Sequence, residues 1–220
     1  MTTGALGHVP WNLLPSLRAT PVVVAPSATS WVAASASQPG RPRRVVAVSG
    51  PDVPYASREV AEIGAVWATS AVTVDADRAT LASGLSDATL LHVAAHGVHN
   101  TENALFSSVR MADGLLFAHE LDAHERTPEH VVLSACEVGL ATVRPGDEAL
   151  GLTSVLLRLG TRSVVAGVAR VADELAADAM VDYHRRLAAG ADSATALAEA
   201  TAKADGLVPF VCFGSGWRAT

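Results

Sequence analysis

The stretch Leu90–Gly97, LLHVAAHG, runs from two leucines through Val93 into a histidine and a glycine. A short apolar run bounded by a small-residue turn reads as a buried strand, so the one ionisable ring at its end sits where the strand stops. Further along, Val131–Gly139, VVLSACEVG, repeats the arrangement with a cysteine where the first has a histidine. In an open parallel sheet the carboxyl ends of the strands share one edge, and ligands bind in the crevice outside it. If the two strands are neighbours, His96 and Cys136 face each other there.

Outward from this pair, β-rich runs alternate with helical periods. Strands are predicted at 44–49, 71–74, 89–94, 131–135, 162–168 and 208–213. Apolar stripes at helical spacing are carried by Val60, Ile63 and Trp67, by Leu152, Val155, Leu156 and Leu159, and by Ala176, Met180, Tyr183 and Leu187. Asp173 and Ser193 read as N-caps, and Gly160 and Gly190 as helix stops. The alternation predicts a three-layer α/β/α sandwich of about six mostly parallel strands. Between the third and fourth strands, Asp113-Gly114 is a hairpin signal, so a small accessory β-hairpin is expected beside the main sheet. The expectation is one domain over 1–220. In it, 1–43 is an irregular lead-in and loop with one short strand, and 44–220 is the core sheet with its helices; the segment SQPGRPRR at 37–44 marks the soft boundary.

Composition narrows the function. The chain has 220 residues, half of them hydrophobic, enough to bury a full core. A net charge of −6 offers no general attraction to phosphate backbones, and the only dense basic cluster is Arg41, Arg43 and Arg44, so direct nucleic-acid binding is not expected. Apolar stretches such as 21–36 are broken by Pro26 and by serines and a threonine, short of the roughly 20 residues a bilayer demands, so no membrane partner is expected. The N-terminus lacks a charged region followed by an apolar core, which points to a cytoplasmic location. Two cysteines, Cys136 and Cys212, are too few for a disulfide framework.

A thiol becomes a good nucleophile when a base within hydrogen-bond reach takes its proton, and an imidazole has the pKa for that near neutrality. Gly97 lets a substrate carbonyl approach the backbone, so its amide and that of Cys136 could form an oxyanion hole. Against this stands the ordinary reading of Cys136 as a small buried hydrophobe and His96 as a loop residue. On the residues alone both readings stay open.

The order and spacing of four motifs carry a resemblance: LLHVAAHG at 90–97, MADGLLFAHEL at 111–121, VVLSACEVG at 131–139 and GDEALGLTSVLLRLGTRSVVAGVARVAD at 146–173. PWNLLPSL and VAPSATSW near the start and VPFVCFGSGW at the close frame them. Together they resemble the CHAT domain family, a caspase-like module often found beside tetratricopeptide repeats in bacterial proteins, over about 11–217. The resemblance implies a caspase-like fold and a cysteine endopeptidase in which His96 is the base and Cys136 the nucleophile. Peptide cleavage would pass through an acyl-enzyme, without a cofactor. It also implies a protein or peptide substrate and regulation by an attached sensor, such as a tetratricopeptide-repeat partner. Ser134 matches a residue that shapes the substrate pocket in caspase relatives. Two departures are plain: Ala169 stands where many members carry tryptophan, and the chain starts inside the usual span, as a fragment or a shortened member would. A catalytically silent interaction module and a hydrolase or acyl transferase of small substrates are the competing readings.

Other residues have simpler accounts. Glu137 follows the thiol and could bind a basic substrate group, but its charge opposes thiolate formation. Asp173 reaches the active edge yet is explained as a cap, and Asp147 and Glu148 complement a helix N-terminus. Ser134, Glu137 and Asp173 are thus the pocket candidates. His92, His96 and His99 lack the cysteine or carboxylate partners of a zinc site, so no metal is expected. His119, His124 and His130 read as part of a solvated segment, and Cys212 as an inert core residue.

Overall fold

The structure, a computed structural model, describes residues 9–36, 44–98, 100, 104–124, 126–135 and 151–219. In chain order its elements are β1 (Val23–Val24), α1 (Ala28–Ala36), β2 (Val45–Ser49), α2 (Ala56–Trp67), β3 (Val72–Thr73), α3 (Arg78–Asp87), β4 (Leu90–Ala94) and β5 (Gly97–Val98). There follow β6 (Ser108–Met111), β7 (Gly114–Phe117), β8 (His130–Ser134), α4 (Gly151–Arg158), β9 (Ser163–Gly167), α5 (Asp173–Ala188), α6 (Ser193–Lys203) and β10 (Phe210–Gly214). Seven strands form the main sheet in the order β1-β10-β9-β8-β4-β2-β3, parallel except where β10 runs against β9. The three-layer, mostly parallel architecture expected from the sequence is the one observed, with seven strands where about six were expected.

Both faces of the sheet are covered, so its strands are apolar on both sides. Leu91, Val93, Val131, Leu133 and Val164 pack with Leu81 and Leu85 of α3 and Val155 and Leu156 of α4. On the opposite face, Leu90, Val132, Val165 and Phe210 pack with Met180, Tyr183 and Leu187 of α5 and Leu197 of α6. Val60 and Ile63 of α2 cover Ala47 and Ala94 on that same side.

The differences from expectation have local causes. Within the lead-in, the described residues 9–36 hold a helix as well as the one short strand expected. Ser27 and Ser30 exchange hydrogen bonds, each side-chain oxygen accepting the other's backbone N–H at 2.9 and 3.0 Å. That reciprocal cap starts α1, and an alanine-rich run propagates it. The short strand β1 joins the main sheet by pairing with β10. Neither expected N-cap holds that position: α5 begins at Asp173 with Ala172 before it, and the cap of α6 is Asp192, whose Oδ1 accepts from the amides of Ala194 and Thr195. The expected hairpin, β6 and β7, turns at Gly114 and gains a third strand in β5, which makes an antiparallel sheet of its own.

Candidate active site

The chain path puts the site where the sheet changes direction. From β2 the chain steps outward to β3, then returns to the other side of β2 for β4 and continues through β8 to β9. A crevice opens outside the carboxyl ends at such a reversal. There lies a pocket of about 310 Å³, counting the space open to solvent, lined by Val53, Pro54, Glu59, Ala95, His96, Ser134, Asp173 and Ala176.

β4 and β8 are parallel neighbours, with Ala94 opposite Ser134. The residues that follow stay close. A Cβ built on Gly97 would lie 3.2 Å from that of Ala135, tighter than an ordinary contact, so glycine is what lets the two chain exits approach. Cys136, the expected nucleophile and oxyanion-hole contributor, and Glu137, the expected pocket residue, lie outside the described residues, as do His99, Asp147 and Glu148. Of the other expected site residues, the structure brings His96, Ser134 and Asp173 to one pocket, with Gly97 adjoining.

His96 is held by its neighbours on two strands' loops. Its Nε2 lies 2.9 Å from the carbonyl oxygen of Asp52, which only accepts, so Nε2 carries the proton and the lone pair of the neutral ring is on Nδ1. Asp52 follows β2 in a left-handed conformation, φ 61°, which aspartate tolerates better than most residues. Arg110 of β6 binds both partners. Its amide donates to the His96 carbonyl at 2.8 Å, and its guanidinium lies 3.1 Å from the Asp52 carboxylate.

Asp52, Glu59 and Arg110 were not singled out in the sequence. Glu59 carried a signal: it is four residues before Ile63 and eight before Trp67, on the stripe of α2 that faces the core. A carboxylate on a core face calls for a reason. Asp52 carried a weaker one, as the loop after a third strand ending on the same edge.

Behind the pocket lies a chain of buried polar groups. Trp67 Nε1 donates to His184 Nδ1 at 2.9 Å, His184 Nε2 is 3.1 Å from His92 Nδ1, and His92 Nε2 is 3.0 Å from Glu59 Oε1. Burial, aided by His92 and His130, holds the His184 pKa well below its usual value. His130, expected in a solvated segment, instead opens β8 and is wholly buried because the strand begins one residue earlier than its apolar run. Its Nδ1 donates to the Ser163 carbonyl at 3.0 Å, and its Nε2 accepts from the Tyr183 hydroxyl at 2.7 Å. Desolvation brings its pKa down to about 4. Cys212 lies deep in the core, where burial pushes its thiol up and away from reactivity. Among the described residues no cluster of three or more His, Cys, Asp or Glu could hold a metal ion, and no helix is long and apolar enough to cross a membrane.

Comparison with known proteins agrees with this architecture. Two crystal structures of the Saccharomyces cerevisiae separase–securin complex, at 2.6 and 3.0 Å, superpose with TM-scores of 0.68 and 0.66 over 95% and 96% of this chain, at 13% identity in each. The matched part is 15% of each of those chains, so this chain spans a small fraction of their length. At that identity the likeness establishes the fold. No curated protein matches the sequence. The family model of the CHAT domain matches residues 1–205, nearly the whole chain. With that match, over a sheet that superposes on these structures, the chain belongs to the CHAT domain family.

Proposed function

We propose that this chain is a cysteine endopeptidase that cleaves a protein or peptide substrate with His96 as base and Cys136 as nucleophile. The observation that carries the reading is the tether of His96 Nε2 to the Asp52 carbonyl, which leaves Nδ1 as the basic nitrogen at the exit of β4, next to the strand that leads into Cys136. The Cys136 thiol gives its proton to Nδ1, and the sulfur adds to the peptide carbonyl carbon. The amides of Gly97 and Cys136 receive the oxyanion. As the C–N bond breaks, the imidazolium protonates the leaving amine. Water then attacks the thioester, giving the acid and restoring the thiol.

Ser134 and Asp173, with Glu137, form the substrate pocket in this reading, which needs no metal or cofactor. The domain is a single unit over 1–220 and works in the cytoplasm. A sensor, such as a tetratricopeptide-repeat protein, governs it; that the separase structures hold securin supports a protein partner for this fold.

The test is covalent labelling with peptide acyloxymethyl ketones, read by mass spectrometry on wild type, Cys136→Ala and His96→Ala. Labelling is expected at Cys136 alone, with a rate about 10²-fold or more lower in His96→Ala. Labelling indifferent to His96, with unchanged iodoacetamide reactivity, would instead favour a silent interaction module.

A further inference from the structure

Glu59 is a buried carboxylate that meets no lysine or arginine among the described residues. Its residue is 3% exposed, yet it lines the pocket beside His96, Ser134 and Asp173. Its ionic neighbour among the described residues is His92, and that approach is bent enough that neither Glu59 Oε1 nor His92 Nε2 gains an aligned hydrogen bond. A buried carboxylate left this way is costly unless a cation or further donors meet it.

His92 does not supply the charge, and hydrogen-bond logic shows why. An indole N–H only donates, so His184 Nδ1 accepts from Trp67 and carries no proton. The single proton of His184 is then on Nε2 and is donated to His92 Nδ1. With Nδ1 acting as acceptor, His92 is neutral and holds its own proton on Nε2, toward Glu59. Trp67 and Glu59 lie on one face of α2, so a single helix anchors both ends of the chain and fixes every proton in it. Among the described residues the Glu59 carboxylate is therefore left to be met by whatever enters the pocket.

We propose that Glu59 is a specificity-determining residue that takes the cationic side chain, guanidinium or ammonium, of a peptide bound beside His96. The inference rests on the pocket being a peptide site, as in the function proposed above. Asp173, at the start of α5, is a second carboxylate on the same pocket and adds to its negative potential.

The test uses the full chain carrying Cys136→Ala, titrated by calorimetry with N-acetyl-arginine methylamide and with its neutral isostere N-acetyl-citrulline methylamide. The arginine amide is expected to bind about tenfold tighter or more. That preference disappears in Glu59→Gln, which keeps the shape and an acceptor for His92. Equal affinity for the two amides, including no measurable binding of either, overturns the proposal, as does a preference that persists in Glu59→Gln. Should Glu59→Gln fail to fold, Trp67→Phe serves instead. It removes the N–H that sets the ring protons and lets His92 become the counter-ion, so the preference weakens; an unchanged preference is the contrary result. The thiol is absent throughout, so the titration decides the role of Glu59 whatever the labelling experiment says of Cys136.

Discussion

Gly50 directly follows β2 and lies against Arg110 of the accessory sheet. A Cβ there would lie 2.3 Å from the Arg110 carbonyl oxygen and 2.9 Å from the Cβ of Ala95. Neither neighbour can swing aside, because one is backbone and the other is packed next to His96. Gly50→Ala is therefore expected to cost about 1–3 kcal/mol of stability, as overpacking does, and to slow the labelling of Cys136 by displacing His96. Urea unfolding and the labelling rate check the two halves separately. At this scale the sequence was legible along the carboxyl edge of the sheet: His96 follows β4, Ser134 closes β8, Asp173 opens α5 after β9, and all three line the pocket. It was silent on Asp52, whose contribution is a backbone carbonyl that any side chain would carry, and on Arg110, which comes from the accessory sheet.

Among the elements, the strands and the helices α2, α4 and α5 were legible because each carries one clean period, whereas α1 carries none. Its start lies in the exchange between Ser27 and Ser30, and every residue of it is at least partly exposed. The antiparallel sense of β10 was also hidden, since a strand's apolar run looks the same in either direction. One of the links between α5 and the sheet is a buried hydrogen bond that periodicity cannot show, from the Tyr183 hydroxyl to His130 Nε2. Tyr183→Phe preserves the packing and leaves that nitrogen without a donor. A loss of about 1–3 kcal/mol is expected from the stranded acceptor, read as a lower urea midpoint at unchanged slope. A midpoint within error of wild type would mean that this hydrogen bond adds nothing to the docking of α5.

For the whole molecule, the buried rings set a limit on acid stability. His130 has a folded pKa of about 4, against an ordinary value of 6.5, so between those limits the unfolded chain binds the extra proton. Its contribution is complete above pH 6.5 and falls away as the pH drops toward 4, by about 3 kcal/mol over the window. His184 is shifted the same way and steepens the loss. Unfolding free energies at pH 7 and pH 5 test this: the difference should shrink in His130→Gln, and a protein equally stable at both values contradicts it. One feature of the sheet also governs how the molecule is made. β1 is paired with β10, Val23 to Cys212, so its partner is synthesised only after every other strand of the sheet. Until Phe210–Gly214 leaves the ribosome, the lead-in strand has nowhere to dock, and the open edge of β9 must wait with it. Nascent chains stalled short of that strand should thus be the ones that chaperones hold and proteases find.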